Sequence, residues 1–128
     1  MPLKIEVVKK EKETVIVRPF GAIDSSSYEE FEQRIQPLLI PAIKNLILDM
    51  AGVDYISSMG VSAIIKTKKT LDANKASLLI INLQPQIKAV FEVIKALPNM
   101  RIFKGIEEAD AYLDRIQRQK IEREPPKL

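Results

Sequence analysis

Short apolar segments alternate with segments of helical periodicity along most of the chain, and this alternation restricts the fold more than any other feature. Two strand-like segments come first, and every later strand-like segment is followed by a helical pattern. Strands that alternate with helices form a mostly parallel sheet, because each crossover helix returns the chain to the end from which the strands start. The predicted class is therefore α/β, in the order β-β-α-β-α-β-α-β-α.

The predicted strands number about five and differ in pattern. Residues 3–8 alternate apolar and polar side chains, and residues 14–19 are rich in β-branched ones. The charged turn between them, residues 9–13, predicts an antiparallel hairpin. Residues 77–82 are nearly all apolar, which is typical of a strand buried on both faces. The other strands are predicted at residues 45–50 and 100–103.

About four helices are predicted from their start and stop signals. Ser27 and Glu30 have the spacing of a capping box, and Pro37 should kink or end the helix that follows. The later helices are predicted at residues 58–72, 85–97 and 107–118. Residues 1–118 thus form one domain, and the charged tail 119–128 is expected to be flexible.

Composition excludes several classes of function. The chain of 128 residues has neither cysteine nor histidine, so disulfides and a Ser-His-Asp triad are impossible and the commonest zinc ligand is missing. A net charge of +3 on a mixed surface argues against direct nucleic-acid binding. No apolar run could span a bilayer and no signal peptide is visible, so we expect a soluble, cytoplasmic protein without membrane insertion. We expect no cofactor and no metal site.

The segment most informative about function is residues 49–61, where an apolar strand leads into a helix through a loop that carries Ser57 and Ser58. A hydroxyl at a helix N-terminus lies where converging N–H groups favour an anion such as phosphate. The alternative is that one of the two serines is only an N-cap, which is a common arrangement.

The order of strand, Asp49, an apolar-aromatic pair, Ser-Ser-Met-Gly and helix resembles the STAS domain of bacterial anti-sigma factor antagonists. The resemblance covers about residues 3–118 and implies a single STAS-like domain. It also implies that Ser58 is phosphorylated by a partner kinase. Ser57 stands where the family often has aspartate, so it remains the alternative acceptor.

The resemblance extends to Asp24, which matches a Gly-x-Leu/Ile-Asp stretch of the family, in a loop that lies beside the serine loop. Asp24 could orient the acceptor hydroxyl or help to place the partner's metal-nucleotide. It could equally be a turn aspartate that binds its own backbone near Ser26 or Ser27. Together with Asp24, the predicted partner-binding residues are Ser57, Met59 and Gly60.

These observations lead to a phospho-switched binding module. The unphosphorylated protein would bind an anti-sigma factor of the serine kinase type, and phosphorylation would release the protein from this partner. A serine phosphatase would remove the phosphate. Transcription would be regulated by this partner switching. The alternative is a constitutive STAS adaptor of a transporter or signalling scaffold. An enzyme with a serine nucleophile and a lysine base is disfavoured, because no Ser-x-x-Lys follows either serine.

The second predicted helix is rich in lysine. We interpret these lysines as a solvated face, and the alternative is a docking face for an acidic partner. They are Lys66, Lys68 and Lys69, with Lys75 just beyond the helix.

Overall fold

A five-stranded mixed sheet forms the centre of the computed structural model, which describes residues 3–123. The strands lie side by side in chain order; β1 is antiparallel to β2, and all later neighbours are parallel. The strands are β1 (Lys4–Lys10), β2 (Thr14–Phe20), β3 (Asn45–Asp49), β4 (Ser77–Ile81) and β5 (Arg101–Phe103). The α-helices are α1 (Tyr28–Ile35), α2 (Ser58–Ala73), α3 (Pro85–Val93) and α4 (Ile106–Arg123). The predicted class and order of elements are confirmed.

Helices α1, α2 and α3 cover one face of the sheet and enclose the larger of two hydrophobic clusters. Phe31 of α1, Ile64 of α2 and Phe91 of α3 are fully buried against this face. Leu46, Leu48 and their neighbours in the sheet supply the other half of the cluster. The alternation along each strand sends every second side chain into this layer.

The second face is covered by α4 alone. Ala109 and Leu113 of α4 pack on Ile16, Ile47 and Leu79, which point away from the larger cluster. Two ion pairs join α4 to the β1–β2 hairpin: the ammonium of Lys10 lies 3.2 Å from Asp110, and that of Lys12 lies 3.7 Å from Asp114. The residues of β4 are therefore buried on both sides, as its apolar composition predicts.

Three local predictions were wrong in detail. Helix α3 does not reach residue 97 but ends at Val93, because Lys95 adopts the left-handed conformation that stops a helix, with a φ of 60°. The capping box at the start of α1 does not form, because the Ser27 hydroxyl donates to the Ala22 carbonyl at 2.7 Å and accepts from the Asp24 N–H at 3.0 Å. Helix α4 does not end near residue 118 but continues to Arg123, because its charged last turns contain no helix-stopping residue. The rest of the predicted tail, residues 124–128, lies outside the described residues. Pro37 does end α1, which is followed by a 3-10 turn at Gln36–Leu38.

The topology brings the serine loop to the carboxyl ends of the parallel strands. Because β3 and β4 are parallel, the loops that follow them emerge side by side at their carboxyl ends. The first of these loops leads to the two serines, and the second leads to α3. Within residues 3–123, none of the helices combines the length and apolar character that crossing a bilayer requires.

Candidate functional site

The loop between β3 and α2 is held against the loop that follows β2. Ile23 forms a parallel bridge with Ile56, in which the Ile23 N–H donates to the Tyr55 carbonyl at 3.1 Å. The Ser57 N–H in turn donates to the Ile23 carbonyl at 3.0 Å. Ile23 and Ile56 are both buried, so apolar packing reinforces the pairing. This contact brings the Asp24 turn beside the start of α2.

The two serines occupy different positions at that start. Ser57 is the N-cap of α2; it is half-buried, and its hydroxyl oxygen accepts the Gly60 N–H at 3.4 Å. Ser58 is the first helical residue and is exposed to solvent. Among residues 3–119, whose side chains are described, the Ser58 hydroxyl forms no hydrogen bond. The Ser57 hydroxyl is thus held by a hydrogen bond, whereas the Ser58 hydroxyl is accessible to solvent.

Gly60 packs closely against the loop that contains Ile23 and Asp24. It is buried, and a Cβ atom there would overlap the Ile23 carbonyl oxygen and lie 2.7 Å from Cγ1 of Ile56. The backbone that approaches Gly60 is therefore that of the protein's own Asp24 loop. A contact of Gly60 with a partner stays a prediction. Glycine is needed because it lets the first turn of α2 lie directly on that loop.

Asp24 adopts the turn arrangement that the sequence left as one of two possibilities. One carboxylate oxygen accepts from the Ser26 hydroxyl at 2.7 Å, the Ser26 N–H at 2.9 Å and the Ser27 hydroxyl at 3.1 Å. The hydroxyl and the N–H of Ser26 lower the pKa of Asp24 from its ordinary value of 3.8, because both stabilise the charged form. The other carboxylate oxygen accepts no hydrogen bond from residues 3–119, the part of the chain with described side chains.

The lowered pKa of Asp24 predicts an acid-dependent loss of stability. Above its ordinary pKa of 3.8 the carboxylate stabilises the turn, and this contribution disappears as the pH falls through the lower pKa of the folded state. We therefore expect the urea midpoint of the wild type to exceed that of Asp24→Asn near neutral pH and the difference to shrink in acid. Ser26→Ala, which removes the strongest hydrogen bond, should weaken the pH dependence. A difference that does not change with pH would contradict the assignment.

Asp49 and two glutamines hold the other side of the serine loop. Asp49 accepts from the Ala51 N–H at 3.1 Å and from Asn82 at 3.0 Å, and the Arg18 guanidinium lies 3.2 Å from its second oxygen. Gln84 donates to the Ala51 carbonyl at 3.0 Å, and Gln86 donates to the Asp54 carbonyl at 3.4 Å.

These contacts give Asp49, the last residue of β3, a structural role in holding the serine loop. The sequence did not single out either glutamine. The predicted topology could have indicated them. Gln84 and Gln86 follow β4, and the loops after neighbouring parallel strands lie at the same end of the sheet.

Apolar side chains are exposed beside Ser58. Tyr55 is 57% exposed and Met59 is 39% exposed. A phenol ring and a thioether next to a free hydroxyl form a small surface suited to contact with another protein, because such residues bury much area with adaptable geometry. In the described part of the chain, no three acidic side chains are arranged to hold a metal ion.

Comparisons with known proteins indicate the family to which this chain belongs. The sequence model of the STAS domain matches residues 5–109. The anti-sigma-B factor antagonist of Staphylococcus aureus is 25% identical over 107 residues, which cover 84% of this chain and 98% of that protein.

Solved structures show the same fold. An anti-sigma factor antagonist from Mycobacterium paratuberculosis superimposes with a TM-score of 0.77 at 15% identity, over 86% of this chain and 92% of that one. The Bacillus cell fate determinant SpoIIAA in its phosphorylated form gives a TM-score of 0.64 at 23% identity, over 88% and 99% of the two chains. Because the family model covers most of the chain, this chain belongs to the STAS domain family, as an anti-sigma factor antagonist-like binding module rather than an enzyme.

Proposed function

We propose that this protein is a phospho-switched binding partner of an anti-sigma factor and that Ser58 is its phosphoacceptor. The observation that carries the proposal is the contrast between the two serines. The Ser58 hydroxyl is exposed, whereas the Ser57 hydroxyl is half-buried and accepts the Gly60 N–H. A kinase needs a hydroxyl that can reach its active site, and Ser58 offers one without disturbing the cap of α2.

The phosphoryl transfer would be supplied by the partner. The Ser58 oxygen attacks the γ-phosphorus of ATP bound to the kinase, the bond to the β-phosphate oxygen breaks, and ADP leaves. The serine proton passes to a base of the kinase. The product adds about −1.5 to −2 charges at the N-terminus of α2, where the helix dipole and the N–H groups of the first turn tolerate negative charge. The fold should therefore change little.

The switch acts at the surface formed by Tyr55, Ser58 and Met59. An unphosphorylated surface of this kind can be covered by a partner, whereas a phosphate beside the two apolar side chains would have to lose its hydration in the same interface. The proposed partner is an anti-sigma factor of the serine kinase type, and a serine phosphatase would restore the hydroxyl. This cycle requires ATP, which supports action in the cytoplasm.

Mass analysis of the protein isolated from its host tests the acceptor. We expect one phosphate, placed on Ser58 by fragmentation and absent from Ser58→Ala. Ser57→Ala is the matched control: it should still be phosphorylated, although loss of the N-cap should lower its free energy of unfolding by about 1 kcal/mol. Phosphate on Ser57 would move the acceptor by one residue. No phosphate under any growth or stress condition would favour the constitutive adaptor.

A further inference from the structure

A groove lies beside the C-terminal half of α2, away from the serines. Its volume is about 650 Å³, which is in the range of sites for small molecules. We call it the basic groove, and it is lined by Ile65, Lys68, Lys69, Asp72, Lys95, Ala96, Asn99, Met100 and Arg101. Three parts of the chain meet there: α2, the segment that follows α3, and the first residue of β5.

Positive charge is concentrated in this groove. Four of its lining residues are cationic and one is anionic, an excess that equals the net charge of +3 of the whole chain. The single carboxylate, Asp72, is already paired with the Lys68 ammonium at 2.6 Å. Lys10 and Lys12, by contrast, are paired with Asp110 and Asp114. Lys69 and Lys95 are exposed and form no ion pair with any residue from 3 to 119, the range in which side chains are described.

The helix ends nearby do not account for these lysines. Cations often lie at helix C-termini to satisfy the last carbonyls. Here backbone N–H groups do so: the Ala76 N–H donates to the Leu71 carbonyl at 2.8 Å, and the Ala96 N–H donates to the Phe91 carbonyl at 2.9 Å. Lys95 itself has a φ of 60°, in a helix-stopping position where glycine is the usual residue. The ammonium groups are thus free to bind a ligand.

The groove also has an apolar component. Ile65, Ala96 and Met100 are partly buried and pack against the larger hydrophobic cluster. We propose that the basic groove binds a small organic phosphate, whose phosphate lies between Lys69 and Lys95 and whose apolar portion contacts these three side chains. Lysine suits phosphate because its ammonium is a point charge with three donors.

This site is separate from the proposed switch. Lys69 follows Ser58 by eleven residues, which corresponds to about 16 Å along α2. Binding in the groove therefore does not depend on the acceptor serine, and its outcome does not bear on the phosphorylation proposal.

Amide NMR titration of the full chain with phenyl phosphate at low ionic strength tests the proposal. We expect saturable shifts at residues 65–72 and 95–101 and none at residues 57–60. Phenyl phosphate should bind about fivefold more tightly than inorganic phosphate, because the ring adds apolar contact. Absence of saturation, or equal affinity for the two anions, would overturn the proposal. Binding of an oligoglutamate peptide more tightly than phenyl phosphate would also overturn it, in favour of a docking face for an acidic protein segment.

Two charge-matched double variants distinguish a site from general attraction. Lys69→Gln with Lys95→Gln should weaken phenyl phosphate binding by about fivefold or more, since two ion pairs are lost. Lys88→Gln with Lys104→Gln removes the same charge from exposed lysines outside the groove and should leave the affinity unchanged. All four lysines are exposed, so both proteins should fold. Equal weakening by the two double variants would show non-specific attraction and refute the site.

Discussion

Replacing Gly60 with alanine should lower the free energy of unfolding by about 2–3 kcal/mol. The added Cβ would overlap the Ile23 carbonyl oxygen and lie 2.7 Å from Cγ1 of Ile56. Backbone cannot rotate away as a flexible side chain can, so α2 or the Asp24 loop must shift. Alanine gains about 1 kcal/mol over glycine inside a helix, and the steric cost must exceed this gain. Urea denaturation of the two proteins measures the difference.

The matched control is Gly105→Ala, just before α4. A Cβ atom there has only Asn82 nearby, with its side-chain oxygen at an ordinary 3.5 Å. We expect a change of about 0.5 kcal/mol or less, the usual size for a position without close packing. If the two alanines destabilise the protein equally, or if Gly60→Ala is as stable as the wild type, the close approach of α2 to the Asp24 loop is refuted.

Phosphorylation of Ser58 should weaken binding to the proposed partner kinase by about 5- to 150-fold, the usual range for coupling between a modification and a binding surface. Ser58→Glu carries a smaller charge and should lie at the lower end of that range. The stability of the variant should not fall, because an acidic residue in the first turn of a helix is favourable. Calorimetric titration of the partner with the phosphorylated, unmodified and Ser58→Glu proteins measures the effect.

Ser62→Glu provides a charge-matched control for that experiment. Ser62 is exposed on α2 one turn after Ser58, so the variant adds the same charge on the same side of the helix but outside the first turn. We expect its affinity for the partner to stay close to that of the wild type. If Ser62→Glu weakens binding as much as Ser58→Glu, the effect is general repulsion and not a switch at the acceptor. If neither variant weakens binding, the constitutive adaptor is favoured.

The strand and helix order could be predicted from the sequence because each element carries its own pattern. The apolar composition of β4 indicated burial on both faces, which α2 supplies on one face and α4 on the other. Pro37 ended α1 as its chemistry requires, since proline lacks the N–H that a continuing helix needs. Signals of this kind are local, so they can be recognised without knowledge of the tertiary structure.

The details that could not be predicted depend on contacts between distant residues. Ser27 has the right spacing for a capping box, but Ala22 and Asp24 compete for its hydroxyl once the turn has formed. The requirement for glycine at position 60 comes from Ile23, which is far away in the chain. Ser57 and Ser58 are chemically identical in the sequence, and only the start of α2 distinguishes the capping hydroxyl from the exposed one.

The unequal covering of the two sheet faces has a consequence for the motions of the molecule. Three helices share the larger cluster, whereas α4 covers Ile16, Ile47 and Leu79 alone and is fastened to the hairpin by exposed ion pairs. Local opening follows the regions with the fewest buried contacts, so α4 should detach from the sheet while α1, α2 and α3 stay folded. Exposed ion pairs weaken in salt. The amides of α4 should therefore exchange with solvent deuterium through a partial opening that becomes more frequent as salt is added. The amides of β3 and β4 should exchange only when the whole domain unfolds.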